Sequence, residues 1–487
     1  MKRKTIVYLT FLIACTTLAT SSHALANQNQ TTQIINKIIE AYGGDTLKKA
    51  KSLRIIDHNK GPWPGESENP GLPEIWRINE ELTVDFENKR KSLISYRVPR
   101  TTIDLEKWIF DGKDGYIYDI LHQKYSTVDW LNYDNLGGPV MRSSDLMHAK
   151  KLYNDVKEAL FLGTEFYRGK PHQKIEVNYN TGGTFTYYID EDSGFIRKIV
   201  RAHPKNTLIY VFSNHQRKHN LTFAKDMNFF VNGEFRLSSV LKDIEIDPDL
   251  KQAFAKPKNF SSWGQRIDNK NLEAKKIGID VFQAGKGRAK TVFIEQPNHY
   301  IAIGGANALK ENFEALKELT QKQKPLGYFI VSHHHRGNLI GLENAIKLGA
   351  KLVTAKAHQK KVLDSLSKSN VSKRVVAVSN RVPFKLGNLT LHDIPTAHSK
   401  HYLLVHSSLN EMIIAEEHYE VQLKEGKPRI YKDMVIFANA VKQLNIDVKT
   451  LVDINSWRSI DINDFNKWID DFEQPTCPID YRVCADG

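Results

Sequence analysis

Residues 328–341 read Tyr328-Phe329-Ile330-Val331-Ser332-His333-His334-His335-Arg336-Gly337-Asn338-Leu339-Ile340-Gly341. The first four are apolar and compact enough for a buried strand. The three histidines sit where that strand ends and the next helix begins. In layered α/β sheets, functional groups gather where strands end. In an extended segment side chains alternate, so His333 and His335 point the same way and His334 points elsewhere. Two imidazoles at that spacing can converge on one metal ion.

Outward from this stretch the pattern stays αβ. Thr291 to Glu295 and Gly327 to Val331 read as strands, with a helix from about Leu309 to Thr320 between them. Helix Leu342 to Leu348, strand Lys351 to Thr354 and helix Ala357 to Leu366 follow. Alternation of this kind predicts a layered α/β region.

These motifs resemble the metallo-β-lactamase superfamily, whose H-x-H-x-D-H signature follows such a strand. Ser332, His333, His335 and Gly341 match it. Gly337 stands where the family has an aspartate and Asn338 where it has the next histidine. His398, within Ile394-Pro395-Thr396-Ala397-His398-Ser399, fits the family's downstream histidine. After the apolar Ile413-Ile414-Ala415 come Glu416 and Glu417, and Glu417 is the better match for the metal-bridging acid. The last histidine should follow Leu451-Val452-Asp453-Ile454, where Asn455-Ser456-Trp457 stand instead. Gly304-Gly305 likewise occupies a place where many members have an aspartate. The resemblance runs from about Ile277 to Phe472.

The resemblance implies an αβ/βα sandwich and one zinc per chain, held by His333, His335, His398 and Glu417. Three imidazoles and an open position make a catalytic zinc site, with a bound water of pKa about 7. The implied chemistry is attack by zinc-bound hydroxide on an ester, lactone or amide-type bond. Glu417 would complete the coordination or orient the water, and Asn338 would donate to a developing oxyanion. No family position requires His334, His358 or His418, which are expected at the surface or behind the ligands. The opposing reading is a non-catalytic descendant that binds a lipid or other apolar ligand elsewhere.

The region 27–255 follows different rules. Ile34, Ile35, Ile38 and Ile39 recur at helical spacing before Gly43-Gly44. From Leu53 to about Leu241 short alternating segments are broken by turns, as at Asp111-Gly112 and Asp190 to Gly194. A helix is expected within this β-rich region over Leu152 to Leu162. The run from Gly163-Thr164-Glu165 through Ile175-Glu176-Val177 to Tyr188-Ile189-Asp190 resembles the open half-barrel of periplasmic lipoprotein carriers. That resemblance implies an acyl chain held in a concave apolar face; a supporting β-domain is the other reading. The fold class is therefore two-domain α+β, with residues 256–272 as a linker and 273–474 as the sandwich.

The ends speak to compartment. Lys2, Arg3 and Lys4 precede an apolar run from Ile6 to Ala14, and Ala24-Leu25-Ala26 offers a cleavage site. Residues 1–26 thus read as a signal peptide of a periplasmic protein. Leu12-Ile13-Ala14-Cys15 resembles a lipobox, so a lipoprotein anchored at Cys15 is the alternative. Cys477 and Cys484, in the tail 475–487, are expected to pair in an oxidising compartment.

The net charge of +13 includes those three leader cations, and Lys and Arg elsewhere alternate with Asp and Glu. With no helix-turn-helix, zinc-finger or ribonucleoprotein signature, nucleic acid is excluded as a partner. A small-molecule or lipid-like substrate remains, with peripheral or lipid-anchored membrane association compatible with the charge. No G-x-S-x-G elbow occurs, and Gly285-Lys286-Gly287 lacks the spacing of a phosphate loop.

Overall fold

The computed structural model describes residues 27–99, 102–366, 371–419, 421–456 and 458–485. The leader, its cleavage site and Cys15 lie outside the described residues, as does Trp457. Among the described residues no helix is long and apolar enough to cross a membrane.

Residues 27–41 form a helix that buries Ile34, Ile38 and Ile39. Tyr42 follows, and Gly44 takes a left-handed turn at φ +52°. The sheet around this helix contains two antiparallel runs of strands. One runs from Ser52–Pro64 outward to Lys124–Thr127, the other from Val156–Tyr167 inward to Glu234–Ile246. The runs join where Ser52–Pro64 pairs antiparallel with Glu234–Ile246. With the short strand Ser261–Ser262 added parallel to Lys124–Thr127, the result is one 14-stranded sheet whose outer strands do not meet. At about 4.8 Å per strand a flat sheet of that size would be about 60 Å wide. Yet Leu53, Leu82 and Leu93 of one run and Ile175, Tyr187 and Phe212 of the other share a core with Ile38 and Tyr42. The sheet must therefore curve around its helices.

The helix expected over Leu152 to Leu162 is a correction. The helix is Asp145–Asn154, and Val156–Tyr167 is a strand at the sheet's end. Ala159 and Phe161 face the core while Leu160 and Leu162 are exposed. Apolar residues on both faces of this strand imitate helical spacing.

From Glu273 onward two sheets lie face to face. The first has seven strands in chain order, from Glu273–Gly278 to Val375–Val378; the last four, beginning with Tyr300–Ile303, are mutually parallel. The second has six, from Phe384–Leu386 to Ile460–Asp461. Val292, Ile303, Ile330 and Val353 of the first meet Leu391, Leu403, Val405 and Ile414 of the second. Helices Leu309–Thr320 and Leu342–Lys347 cover the outer face of the first sheet through Leu309, Phe313, Leu316 and Leu342. Helices Lys432–Lys442 and Ile462–Asp470 cover the second through Phe437, Val441, Phe465 and Ile469. The layers run helix, sheet, sheet, helix.

The segment read as a linker is held at both ends. Ser261–Ser262 pairs with Lys124 and Tyr125, and Arg266 bridges to Leu423. Arg429 is clasped by Asp104, Glu106 and Asp119 at 2.7–3.1 Å. The tail crosses back as well: Cys477 and Cys484 are joined by a disulfide. Next to it Val483 is buried against Tyr96 and Leu105.

Candidate metal centre

Strand Leu326–Val331 is buried over Phe329, Ile330 and Val331, and the burial continues without a break through Ser332 to His335. The Leu403 N–H donates to the Ser332 carbonyl at 2.9 Å, which ties this turn to the facing sheet. Gly341 has φ +89°, and a Cβ there would stand 2.6 Å from the Asn307 backbone. Only glycine permits that approach. His334 points away and stacks on His358 at 4.7 Å. Burial, with each other's proximity, lowers His334 to about 3 and burial lowers His358 to about 4. His334, His358 and His418 are all buried, which agrees with the second of the two placements expected for them and not with the surface. His418 packs between His398 and the Phe437 ring, while His334 and His358 cover one another.

The second sheet supplies the other groups. After strand Leu389–Ile394 the Thr396 hydroxyl accepts from the N–H groups of His398 and Ser399 at 3.2 and 3.1 Å. That local turn fixes His398. Strand Met412–Ala415 ends in Glu416 and Glu417, and Glu417 sits at φ +67°. A non-glycine residue in that region costs about 1–2 kcal/mol, and such positions cluster at functional sites.

His333, His335, His398 and Glu417 each turn a ligand atom inward, all within 4.8 Å of one another. Glu417 Oε2 lies 3.3 Å from His333 Nε2, 3.3 Å from His335 Nδ1 and 3.5 Å from His398 Nδ1. Donors about 2.0–2.1 Å from a tetrahedral zinc stand about 3.3–3.4 Å apart, close to the separation of Glu417 Oε2 from each of the three imidazoles. Burial, reinforced by neighbouring His335, holds His333 well below the usual imidazole range, which keeps it neutral as a ligand must be. Burial alone would raise the Glu417 carboxyl, but the three imidazoles crowded around it outweigh that and hold it well below the usual range. Adjacent Glu416 is pushed up to about 8, by burial first and then by the charge on Glu417.

Several groups orient this set. With its amide nitrogen facing the acids, Asn338 donates to Glu416 Oε1 at 3.1 Å and Glu417 Oε1 at 3.3 Å, while its oxygen accepts from His333 Nδ1 at 3.0 Å. Both N–H groups are then used within the site, leaving none for a substrate oxygen. The Ser332 hydroxyl donates to Glu416 Oε2 at 2.6 Å. Behind His398, the ring nitrogen Nε2 meets Asp433 Oδ2 at 3.2 Å. A carboxylate behind a ligand imidazole fixes its tautomer and raises its basicity.

The sequence reading missed Asp433 and also Glu66, whose Oε2 stands 3.5 Å from His335 Nδ1. Asp433 opens the helix Lys432–Lys442 with no local motif. Glu66 belongs to the N-terminal sheet, hundreds of residues away in the chain. A cleft of about 570 Å³ opens beside the cluster, lined by Pro64, Gly65, Arg236, His334, Arg336 and Lys361 among others.

No family model and no curated protein matches the chain. Among solved structures it is similar to a metallo-β-lactamase from Hirschia baltica at 12% identity, over 41% of this chain and 97% of that one, with a TM-score of 0.31. A metallo-β-lactamase from Pontibacter korlensis gives 15% identity, 41% and 98% coverage and a TM-score of 0.32. A DUF1329 family protein from Desulfovibrio piger gives 10%, 46% and 97%, with a TM-score of 0.32. Likeness this distant leaves the functional reading to the geometry of the site.

Proposed function

We propose that this chain is an exported, mono-zinc hydrolase acting on an ester, lactone or amide-type bond of a small-molecule or lipid-like substrate. The observation that carries this reading is the convergence of three buried imidazoles on Glu417 Oε2 at 3.3–3.5 Å, with all four donors within 4.8 Å of one another. Imidazole nitrogen with one carboxylate oxygen is a donor set suited to zinc. A zinc there would supply Lewis acidity and bring the pKa of a water it holds to about 7. Glu417 Oε2 stands where the three imidazoles converge, so Glu417 would complete the coordination or orient a water held there. Asn338 and Asp433 position the ligands. One metal is proposed because Gly337 has no donor and the Asn338 amide is already engaged. In this reading residues 27–255 are a half-barrel-like domain and 273–474 a metallo-β-lactamase-like sandwich, which the helix–sheet–sheet–helix layering supports. Periplasmic residence is proposed from the leader, and a disulfide between Cys477 and Cys484 suits an oxidising compartment.

The test is elemental mass spectrometry on protein purified without chelator or a histidine tag, alongside an ester, lactone and amide panel. About one zinc per chain, lost in His398→Ala together with turnover, is the expected result. No zinc after metal is restored, or turnover that survives chelation, overturns the proposal.

One observation favours a second reading. A cavity of about 560 Å³ in the N-terminal region is lined by Phe86, Met141 and Phe185, with Lys91, Lys151 and Arg201 among its cations. A cavity that combines apolar side chains with an excess of cations over Asp134 and Asp155 suits an anionic amphiphile. Native mass spectrometry of the full chain would find such a molecule bound, and it would persist in His335→Ala.

A further inference from the structure

Helix Asp145–Asn154 and the curved N-terminal sheet line the cavity of about 560 Å³. Six of its residues are cations, Lys89, Lys91, Arg142, Lys150, Lys151 and Arg201, against the carboxylates of Asp134 and Asp155. They come from separate elements. Lys91 stands on strand Arg90–Val98, Lys150 and Lys151 on the helix, and Arg201 on strand Ile196–His203. Those two strands belong to opposite runs of the sheet, so its curvature gathers the charge.

Two of these lysines are equally buried and differently satisfied. Lys91 and Lys150 are each 3% exposed. An ammonium has three protons to donate. Lys150 Nζ places them on the carbonyls of Leu47, Lys48 and Ala50 at 2.7, 3.0 and 3.3 Å. Lys91 Nζ has one carbonyl, that of Leu136, at 3.4 Å, and otherwise the Tyr133 ring at 4.5 Å. Asp134 attracts it only from beyond ion-pair distance. Lys151 Nζ stands over the Tyr179 ring at 4.2 Å, with Asp155 at 3.6 Å, and Arg201 stands over the Phe185 ring at 5.4 Å. Aromatic faces hold cations in place without neutralising them. Burial lowers Lys91 to about 8, and the charges on Lys151 and Lys89 push the same way. Buried charge of one sign with protons left over is costly unless an opposite charge joins it.

We propose that this cavity is an oxyanion site, in which Lys91 and Lys151 hold a carboxylate or phosphate while Phe86, Met141 and Phe185 cover the group that bears it. The inference rests on the second reading above for an occupant, adds the groups that recognise it, and is independent of the metal centre. Carboxylate and phosphate share the chemistry required, two or more oxygens that accept charge-assisted hydrogen bonds from ammonium protons. The unused protons of Lys91 are what such an oxygen would take.

The experiment is isothermal titration of the full mature chain at neutral pH with octanoate, octyl phosphate, octanol and inorganic phosphate. Octanoate or octyl phosphate should bind at one per chain and about tenfold or more tighter than octanol; the tighter of the two names the headgroup. Lys91→Gln and Lys151→Gln should each weaken that anion roughly 10- to 100-fold, the size of a charge-assisted hydrogen bond. Lys151, with its side chain 27% exposed, carries the test if the buried Lys91→Gln fails to fold. Lys174→Gln removes a lysine outside the cavity and should change binding by less than about twofold. Anions that bind the two cavity variants as tightly as Lys174→Gln overturn this inference and leave the amphiphile reading standing. Octanol that binds as tightly as either anion overturns it too. Inorganic phosphate that matches octyl phosphate, with the same losses in the variants, upholds the oxyanion site and overturns the amphiphile reading. No binding of any probe overturns both.

Discussion

The N-terminal sheet and the C-terminal pair of sheets each bury histidine, with opposite geometry. In the first, His148 Nε2 donates to the Arg142 carbonyl at 3.2 Å and Nδ1 accepts from the Tyr187 hydroxyl at 2.8 Å. Each ring nitrogen has its own partner on its own side. In the second, the inward nitrogens of His333, His335 and His398 share a single carboxylate oxygen. Burial alone does not separate these cases, because it lowers the pKa of both His148 and His333. Convergence does. A histidine satisfied on both faces contributes to stability, whereas histidines aimed at one point are arranged for something placed there.

The largest effect should come from protons on the N-terminal side. His148 is lowered to about 3 by burial, against an ordinary value of about 6.5. The unfolded chain therefore takes up a proton in a range where the folded one does not. Its contribution is fully present above pH 6.5 and is lost as pH falls toward 3, by up to about 5 kcal/mol. Urea unfolding followed by tryptophan fluorescence should show this decline. In His148→Phe that share of the pH slope should vanish with zinc content unchanged. Zinc loss in that variant would break the distinction drawn above.

Next in size is a ligand of the cluster. Structural zinc contributes about 10–16 kcal/mol, so removing one of four donors should cost roughly a quarter of that. His335→Ala is thus expected to weaken zinc about 10²- to 10³-fold in chelator competition. Metal-free stability should change little, the reverse of His148→Phe.

Asp433→Asn should weaken zinc by about 10- to 100-fold, because the group behind His398 keeps its shape and loses its charge. Isothermal titration with zinc reads this, and no effect would mean that His398 needs no orienting partner. The smallest change is expected for Ser332→Ala. One hydrogen bond to Glu416 is lost, about 0.5–1 kcal/mol, or roughly two- to fivefold in zinc affinity.

Much of the C-terminal half could be read from local pattern. Leu309–Thr320 is the helix its spacing describes, and the strand before the histidines departs from its expected start by one residue. His333 and His335 could be named from the end of an apolar strand, whereas His398 and Glu417 were nameable through the resemblance to the metallo-β-lactamase pattern. The N-terminal half was legible as strands, but the edge strand Val156–Tyr167 was not, since Leu160 and Leu162 are apolar on its exposed face. Surface and buried placement of His334, His358 and His418 stayed open in the sequence for a related reason. A polar side chain does not announce that aromatic neighbours from other elements will cover it, as Phe437 covers His418 at 4.6 Å.

The sequence by itself determined the periods, the strand ends and the types of donor, because these follow from chain geometry over a few residues. The tertiary structure decided which groups stand together. Asp433 behind His398, Glu66 beside His335, Arg429 among three acids and the tail on the N-terminal sheet join residues far apart in the chain. No local propensity encodes such meetings. They follow from how three sheets pack, and packing is set by the sum of all the buried surface.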